Sequence, residues 1–410
     1  MEKKNIKILL ISQEKVLDVV NGATRILYYF ANGLKERGYD VVVTYPNNKN
    51  PQCDKYLDKD IKFYNLNYID MSNFKSTHKK LSILDRIIMW RCKKELKLLR
   101  MPELSDKIEA IIQKEKPDII IPFFAHVTSQ LVFGRKYNIP IIQMYHSHPK
   151  VYHTKAPIFK KSSKPMAILF NHTVKKVNWL QLFFDSYAEF IKPFYKGETC
   201  IIHNPIKTPN AQANLSTTKK KLIYLSRIDK NKGQKILIEA FGIIAKSYPD
   251  WELLIYGDFE PESYRAVISE TISKYQLEQQ VKIMGVTKDT SNALAQADIG
   301  AYTSSFEGFP LGLSEALSVG LPCIGLRSAT GINELIIDRH NGLLCESNQV
   351  DIARKLAELM NNRPLREKYG HNAKESMKQY SEFLFWRKWE DLITKALIKS
   401  EKLQKQKNFS

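Results

Sequence analysis

Cysteine is scarce in this chain and unpatterned. Five of 410 residues are Cys (Cys53, Cys92, Cys200, Cys323 and Cys345), an odd and scattered set with no Cys-x2-Cys pair. That excludes a zinc ribbon and a disulfide framework, and predicts reduced thiols in a cytosolic compartment. No uninterrupted apolar run reaches the roughly 18 residues of a membrane-spanning helix, so any membrane contact is expected to be peripheral. The first apolar run, Ile6–Ile11, is too short for a leader and reads as a buried strand. Internal repeats and low-complexity tracts are missing. So are a Gly-x-Gly-x-x-Gly after a strand and a Gly-x4-Gly-Lys-Ser/Thr loop, which withdraws support for a dehydrogenase or a P-loop NTPase. Asp58-Lys59-Asp60 has the form of a metal-binding Asp-x-Asp, but it sits in a charged stretch with no buried strand before it. No metal site is expected there.

Negative charge is also short. The formal charge is +20, and the excess lies in residues 1–205, with 34 Lys and Arg against 19 Asp and Glu; residues 206–410 hold 29 against 24. Between Asp118 and Asp185 there is no acidic residue at all. Such a basic lobe fits nucleic acid, an anionic membrane or a lipid-pyrophosphate acceptor. Residues 78–100 add a helical stripe of Leu81, Leu84, Ile88, Cys92, Leu96 and Leu99 with basic residues around it. A membrane-surface helix and a core-facing helix with a solvated basic rim fit that stripe equally well.

A chain of this length, 43% hydrophobic, predicts two cores, because single domains rarely exceed about 250–300 residues. Apolar runs of four to six residues alternate with helical stretches. In the first lobe Ile6–Ile11, Val41–Tyr45, Ile119–Ile121 and Ile139–Gln143 read as strands, with a helix over Thr24–Arg37 stopped by Gly38. In the second, Leu222–Ser226, Trp251–Tyr256, Val281–Met284, Ile299–Tyr302 and Pro322–Leu326 repeat the scheme. Each lobe is therefore expected to be an α/β, doubly wound, Rossmann-like parallel sheet, with ligand bound in a cleft between lobes at the carboxyl ends of strands. The polar segment Ile206–Thr218 reads as the linker. Phe383, Phe385, Trp386 and Trp389 on the last helical stretch read as core.

The chemistry concentrates in Ser304-Ser305-Phe306-Glu307-Gly308-Phe309-Pro310-Leu311-Gly312-Leu313-Ser314-Glu315. A helix is predicted from Phe309 or Pro310, with Ser304 or Ser305 as cap. Side chains lean toward a helix N-terminus, so Glu315 is expected to tilt back toward Glu307 and the free N–H groups. Carboxylates accept from sugar hydroxyls and helix-start N–H groups attract phosphate, a combination that suits a nucleotide-sugar. A second segment, Lys221–Ala240, reads strand, basic glycine-containing loop, helix, with Arg227 and Lys232 flanking the loop.

These segments resemble the Glu-x7-Glu and Arg-x4-Lys-Gly motifs of retaining family-four glycosyltransferases of the GT-B fold, of the bacterial polysaccharide, capsule or lipopolysaccharide type. The resemblance implies two Rossmann-like lobes: residues 1–205, acceptor-binding, joined by a crossover helix at about 381–398, and residues 206–380, binding the nucleotide-sugar. It implies Glu315 on the ribose, Glu307 at the donor sugar, and Arg227 with Lys232 on the pyrophosphate. Backbone N–H groups of Gly308, Phe309, Leu311 and Gly312 would hold sugar and phosphate, and Gly22 would approach the donor phosphates. His126 is similar to the family's cleft histidine, although a lone histidine after a strand also reads as structural. His146 and His148 read as acceptor or phosphate contacts. The implied reaction moves a hexose or N-acetylhexosamine from a nucleoside diphosphate, UDP by expectation, to a lipid-linked or polysaccharide acceptor at the inner face of the cell membrane, with neither metal nor cofactor. A GT-B-fold epimerase, a transferase acting on a soluble acceptor and a basic nucleic-acid-binding protein are the competing readings.

Overall fold

Thirteen parallel strands organise the chain in the computed structural model, which describes residues 6–12, 22–47, 56–72, 74, 81–101, 103–154 and 164–408. Cys53, Asn21 and three of the lysines between Asp118 and Asp185 (Lys155, Lys160 and Lys161) lie outside the described residues. The chain divides into unit 1, residues 1–203 with 387–410, and unit 2, residues 204–386.

Unit 1 contains β1 (Lys7–Ile11), β2 (Asp40–Tyr45), β3 (Lys62–Asn65), β4 (Ile119–Pro122), β5 (Ile142–Met144), β6 (Trp179–Leu182) and β7 (Glu198–Ile201). Their order is β3-β2-β1-β4 and β5-β6-β7, and a bridge between Ile120 and Ile141 links the two groups. β1 and β4 are buried along nearly their whole length, the pattern of strands covered on both faces by helices. Because β2 and β3 lie to one side of β1 and β4 to the other, the strand order reverses between β1 and β4. The helix Gly22–Glu36 packs Ile26, Leu27, Phe30, Ala31 and Leu34 inward and ends at Gly38, whose φ of +87° suits glycine.

Unit 2 contains β8 (Lys221–Leu225), β9 (Glu252–Tyr256), β10 (Val281–Gly285), β11 (Ile299–Tyr302), β12 (Cys323–Leu326) and β13 (Gly342–Cys345), in the order β10-β9-β8-β11-β12-β13. Its reversal falls between β8 and β11. Open sheets bind ligands at that point because the two flanking loops diverge and leave a crevice at the strand ends.

The segment expected as a linker packs on unit 2: the Ile206 N–H donates to the Tyr380 carbonyl at 2.9 Å, the Ala213 N–H to Val319 at 2.8 Å, and Leu215 is buried. The last helix, Glu382–Asn408, has its first residues in unit 2 and the remainder in unit 1. Phe385 and Trp386 are buried, and Trp389 is buried against Phe30 with ring centroids 4.5 Å apart. Phe383, expected in the core, is instead 72% exposed: it lies in the first turn of that helix, beyond the edge of the buried stripe of Phe385, Trp386 and Trp389.

Candidate functional site

In unit 2 two loops are stitched together across the reversal point. The loop after β8 turns on Asp229, a buried carboxylate that accepts from the N–H groups of Asn231 at 2.7 Å and Lys232 at 3.1 Å. It ends at Gly233, φ +73°, which starts the helix Gln234–Ile244. A Cβ on Gly233 would stand 2.2 Å from the Thr303 carbonyl oxygen, so only glycine lets the loops approach this closely. The Thr303 hydroxyl donates to the Gly233 carbonyl at 2.8 Å, and the Ser305 N–H to Asn231 at 2.8 Å. Beneath them the buried Tyr224 hydroxyl donates to the Lys232 carbonyl and meets the Ser304 hydroxyl at 2.9 Å.

These bonds revise the expected cap. Ser304 and Ser305 are engaged with the β8 loop, and the helix Leu311–Ser318 begins after Pro310, with no side-chain cap. It is seated instead by Gly312: a Cβ there would lie 2.2 Å from the Leu225 carbonyl oxygen, and the Gly312 carbonyl accepts from the Tyr302 hydroxyl at 2.7 Å.

The stitching brings two expected site residues into contact. Lys232 Nζ lies 2.6 Å from Glu307 Oε1, with both side chains mostly shielded from solvent. A third loop supports Glu307 from behind: its N–H donates to the Thr330 carbonyl at 3.1 Å, and the Thr330 hydroxyl donates to the Glu307 carbonyl at 3.0 Å. Gly331, φ +79°, is confined by Glu307 and the Gly308 carbonyl, so the donor-motif turn rests on it. Arg227 projects from the same β8 loop between two acids, with Nε 2.8 Å from Asp229 and Nη1 2.9 Å from Glu260. Burial opposes its charge, but Asp229 and Glu260 outweigh burial and its pKa is raised. Glu315 is half-buried on the short helix, near Tyr302, whose hydroxyl is pushed up by burial first and then by Cys323 and Glu315. Phe309 is buried with its ring against Tyr380.

In unit 1, Gly22 opens the helix Gly22–Glu36 after β1, and His126 sits in the first turn of the helix Ala125–Val132 after β4, so each follows a strand that borders the reversal. His126 is stacked on Phe124, centroids 5.2 Å apart, and His146 on Phe123 at 5.0 Å. Burial lowers their pKa values to about 4 and about 3, so both imidazoles are neutral at pH 7. They are hydrogen-bonding groups there, not cations for a phosphate. His148 Nδ1 accepts from the Lys150 N–H at 2.9 Å, and its ring packs on Tyr187 and Phe190. Among the described residues no group of three His, Cys, Asp or Glu could hold a metal, and no helix is long and apolar enough to cross a membrane.

Sequence reasoning missed Asp229, Glu260, Tyr224 and Thr330. Asp229 carried a local signal, since Asp-Lys-Asn-Lys-Gly is an Asx-turn sequence. Glu260 comes from the loop after β9 and had none.

The model for "Glycosyl transferases group 1" matches residues 206–376, and the model for "Glycosyltransferase Family 4" matches residues 20–182. By fold the chain is similar to sucrose-phosphate synthase from Thermosynechococcus elongatus, with a TM-score of 0.74 and 16% identity over 98% of each chain. It is also similar to HepE of Anabaena, solved with UDP and glucose, with a TM-score of 0.69 and 17% identity over 95% of this chain and 100% of that one. By sequence it is similar to poly(glycerol-phosphate) alpha-glucosyltransferase of Bacillus subtilis (strain 168), 25% identical over 366 residues, 85% of this chain and 52% of that protein. Across the first curated relatives it matches, the chain covers between 20% and 52% of their length. Two Rossmann-like units of this topology define the GT-B class. Within that class the chain belongs to the family-4-like glycosyltransferases.

Proposed function

We propose that this protein is a retaining glycosyltransferase that moves a hexosyl or N-acetylhexosaminyl group from a nucleoside diphosphate sugar, UDP by preference, to a hydroxyl of a lipid-linked or polysaccharide acceptor in bacterial cell-surface polymer synthesis. The observation that carries this reading is the Lys232–Glu307 contact at the β8/β11 reversal, with Arg227 on the same loop. HepE's complex with UDP and glucose supports the donor class, and the Bacillus relative's polymer-directed activity supports the acceptor class.

On this reading the residues take the following roles. An incoming diphosphate competes with Glu307 for the Lys232 ammonium. Once Lys232 turns to phosphate, the Glu307 carboxylate becomes available to accept from hydroxyls of the donor sugar. Arg227, already charged and oriented by Asp229 and Glu260, meets the same diphosphate through its remaining donors. As the glycosidic bond breaks, negative charge grows on the departing phosphate, and cations fixed in advance stabilise that charge more than the ground state. Glu315 takes the ribose hydroxyls, and the N–H groups of Gly308, Phe309, Leu311 and Gly312 face phosphate and sugar. Retention follows if the acceptor attacks from the face the phosphate leaves, with that phosphate as base. His126, with its imidazole neutral at pH 7, is the hydrogen-bonding group we assign to a sugar hydroxyl.

The test is UDP release from a panel of UDP-sugars, with and without undecaprenyl-linked and soluble acceptors. Glu307→Gln and Arg227→Ala are each expected to reduce turnover at least about a hundredfold while the circular dichroism spectrum is retained. Near-normal turnover in both variants would remove the assignment.

A further inference from the structure

The segment Leu81–Leu99 forms two short helices, Ile83–Arg91 and Lys93–Leu98, and its two faces are both apolar. The inner face carries Ile88, Cys92 and Leu96, all buried, which settles the core-facing half of the sequence stripe. The outer face carries Ile83, Ile87 and Trp90, spaced i, i+4 and i+7 on one side of the helix and 79%, 45% and 79% exposed; Leu84 and Leu98 extend it.

Charge divides between the faces in the same way. The segment's two acids turn inward: Asp85 is buried and accepts from Ser82 at 2.7 Å, from His172 at 2.7 Å and from Lys176 at 3.1 Å, and Glu95 is buried as well. Arg86, Arg91, Lys93, Lys94 and Lys97 turn outward, are exposed, and among the described residues none is ion-paired. The helices are therefore pinned from within while their outer surface combines an apolar ridge with five unneutralised cations.

We propose that this surface docks the protein on an anionic lipid bilayer, with Ile83, Ile87 and Trp90 entering the acyl boundary and the five cations meeting lipid phosphates. Charge complementarity selects this occupant. A second copy of the chain pairing through the same patch would bring five cations against five. RNA would satisfy the cations but leave the aliphatic ridge in water. A bilayer of anionic lipid serves both, and an indole at the level of the headgroups is the usual anchor. The surface belongs to unit 1 and none of its residues is among the site residues of unit 2, so its docking and the catalytic reading fail or survive separately.

The experiment uses the full chain with vesicles of phosphatidylglycerol and phosphatidylethanolamine, and with phosphatidylcholine alone. Trp90 is the one exposed tryptophan of five; Trp179, Trp251, Trp386 and Trp389 are all 7% exposed or less. Brominated acyl chains should therefore quench Trp90 selectively. Expected are co-flotation with anionic vesicles only, quenching that Trp90→Phe largely removes, and loss of flotation in Ile87→Asp/Trp90→Ser. Arg86→Glu/Lys94→Glu should weaken binding at least about tenfold at roughly 0.15 M salt. UDP release with a soluble acceptor should stay unchanged in all these variants, which shows they are folded. No flotation by the parent chain overturns the proposal. So does equal flotation by parent and variants, or an outer-face dimer or RNA complex that the same substitutions abolish without any vesicle binding.

Discussion

Unit 1 and unit 2 are both parallel sheets whose strand order reverses at one point, yet their strand ends are furnished with different chemistry. In unit 2 the loops after β8 and β11 carry Arg227, Asp229, Lys232 and Glu307, arranged as ion pairs and backbone-capped carboxylates. In unit 1 the strand ends carry imidazoles packed on rings: His126 on Phe124, His146 on Phe123, His203 beside Phe184. A charged site exchanges partners readily, because an arriving anion can replace the carboxylate. An aromatic setting keeps its histidines neutral. The same topology thus offers one surface suited to a polyanion and another suited to the apolar faces and hydroxyls of sugars.

The sharpest break of this contrast is in unit 2. Lys232→Ala should lower turnover about a hundred- to a thousandfold, read as UDP release, with the chain still folded, although the mostly shielded Glu307 then loses its ion-pair partner. If stability fell and turnover did not, the pair would be structural and the two units alike.

In unit 1 the largest effect is on folding. Trp389→Ala removes a fully buried indole from its contact with Phe30 and should cost about 3–5 kcal/mol in a denaturant titration.

Acid should separate the units. Burial holds His126, His148, His153 and His203 at about 4 and His146 at about 3, below the usual 6.5. The unfolded chain then binds more protons than the folded one between those values. Stability is full above pH 6.5 and is lost as pH falls toward 4. Thermal melts at pH 7 and pH 4.5 should show unit 1 weakening first, and His146→Phe should flatten the dependence. The carboxylates Asp85 and Glu115, held at about 2 by their hydrogen-bond and charge partners against the cost of burial, lose their contribution only at lower pH.

The smallest effect sharpens the account of the last helix: Phe383→Ser, at an exposed position, should change the denaturation midpoint by less than about 0.5 kcal/mol equivalent.

Much of the sheet framework was legible beforehand, because buried parallel strands are continuous apolar runs. β1, β2, β4, β8, β9, β10, β11 and β12 fall where such runs predict them, within a residue or two. β3 (Lys62–Asn65) and β7 (Glu198–Ile201) were not legible, since they lie at sheet edges, are largely unburied, and include polar residues where a buried strand would have a continuous apolar run. The helix over residues 311–318 was also legible from its apolar face. Its cap was not, because Ser304 and Ser305 satisfy the neighbouring loop, a choice that depends on residues some seventy positions away.

Local order alone decided which segments become strands, where Gly38 and Gly233 permit a turn, and that a carboxylate-rich helix start and a basic loop belong to one chain. These follow from apolar runs and backbone freedom, which act over a few residues. Tertiary structure decided that Lys232 meets Glu307, that Glu260 reaches Arg227, and that Ile83, Ile87 and Trp90 face outward while Asp85 and Glu95 face in. Those choices depend on burial and charge pairing between distant segments, and no short-range pattern encodes which of several acids a buried cation will find.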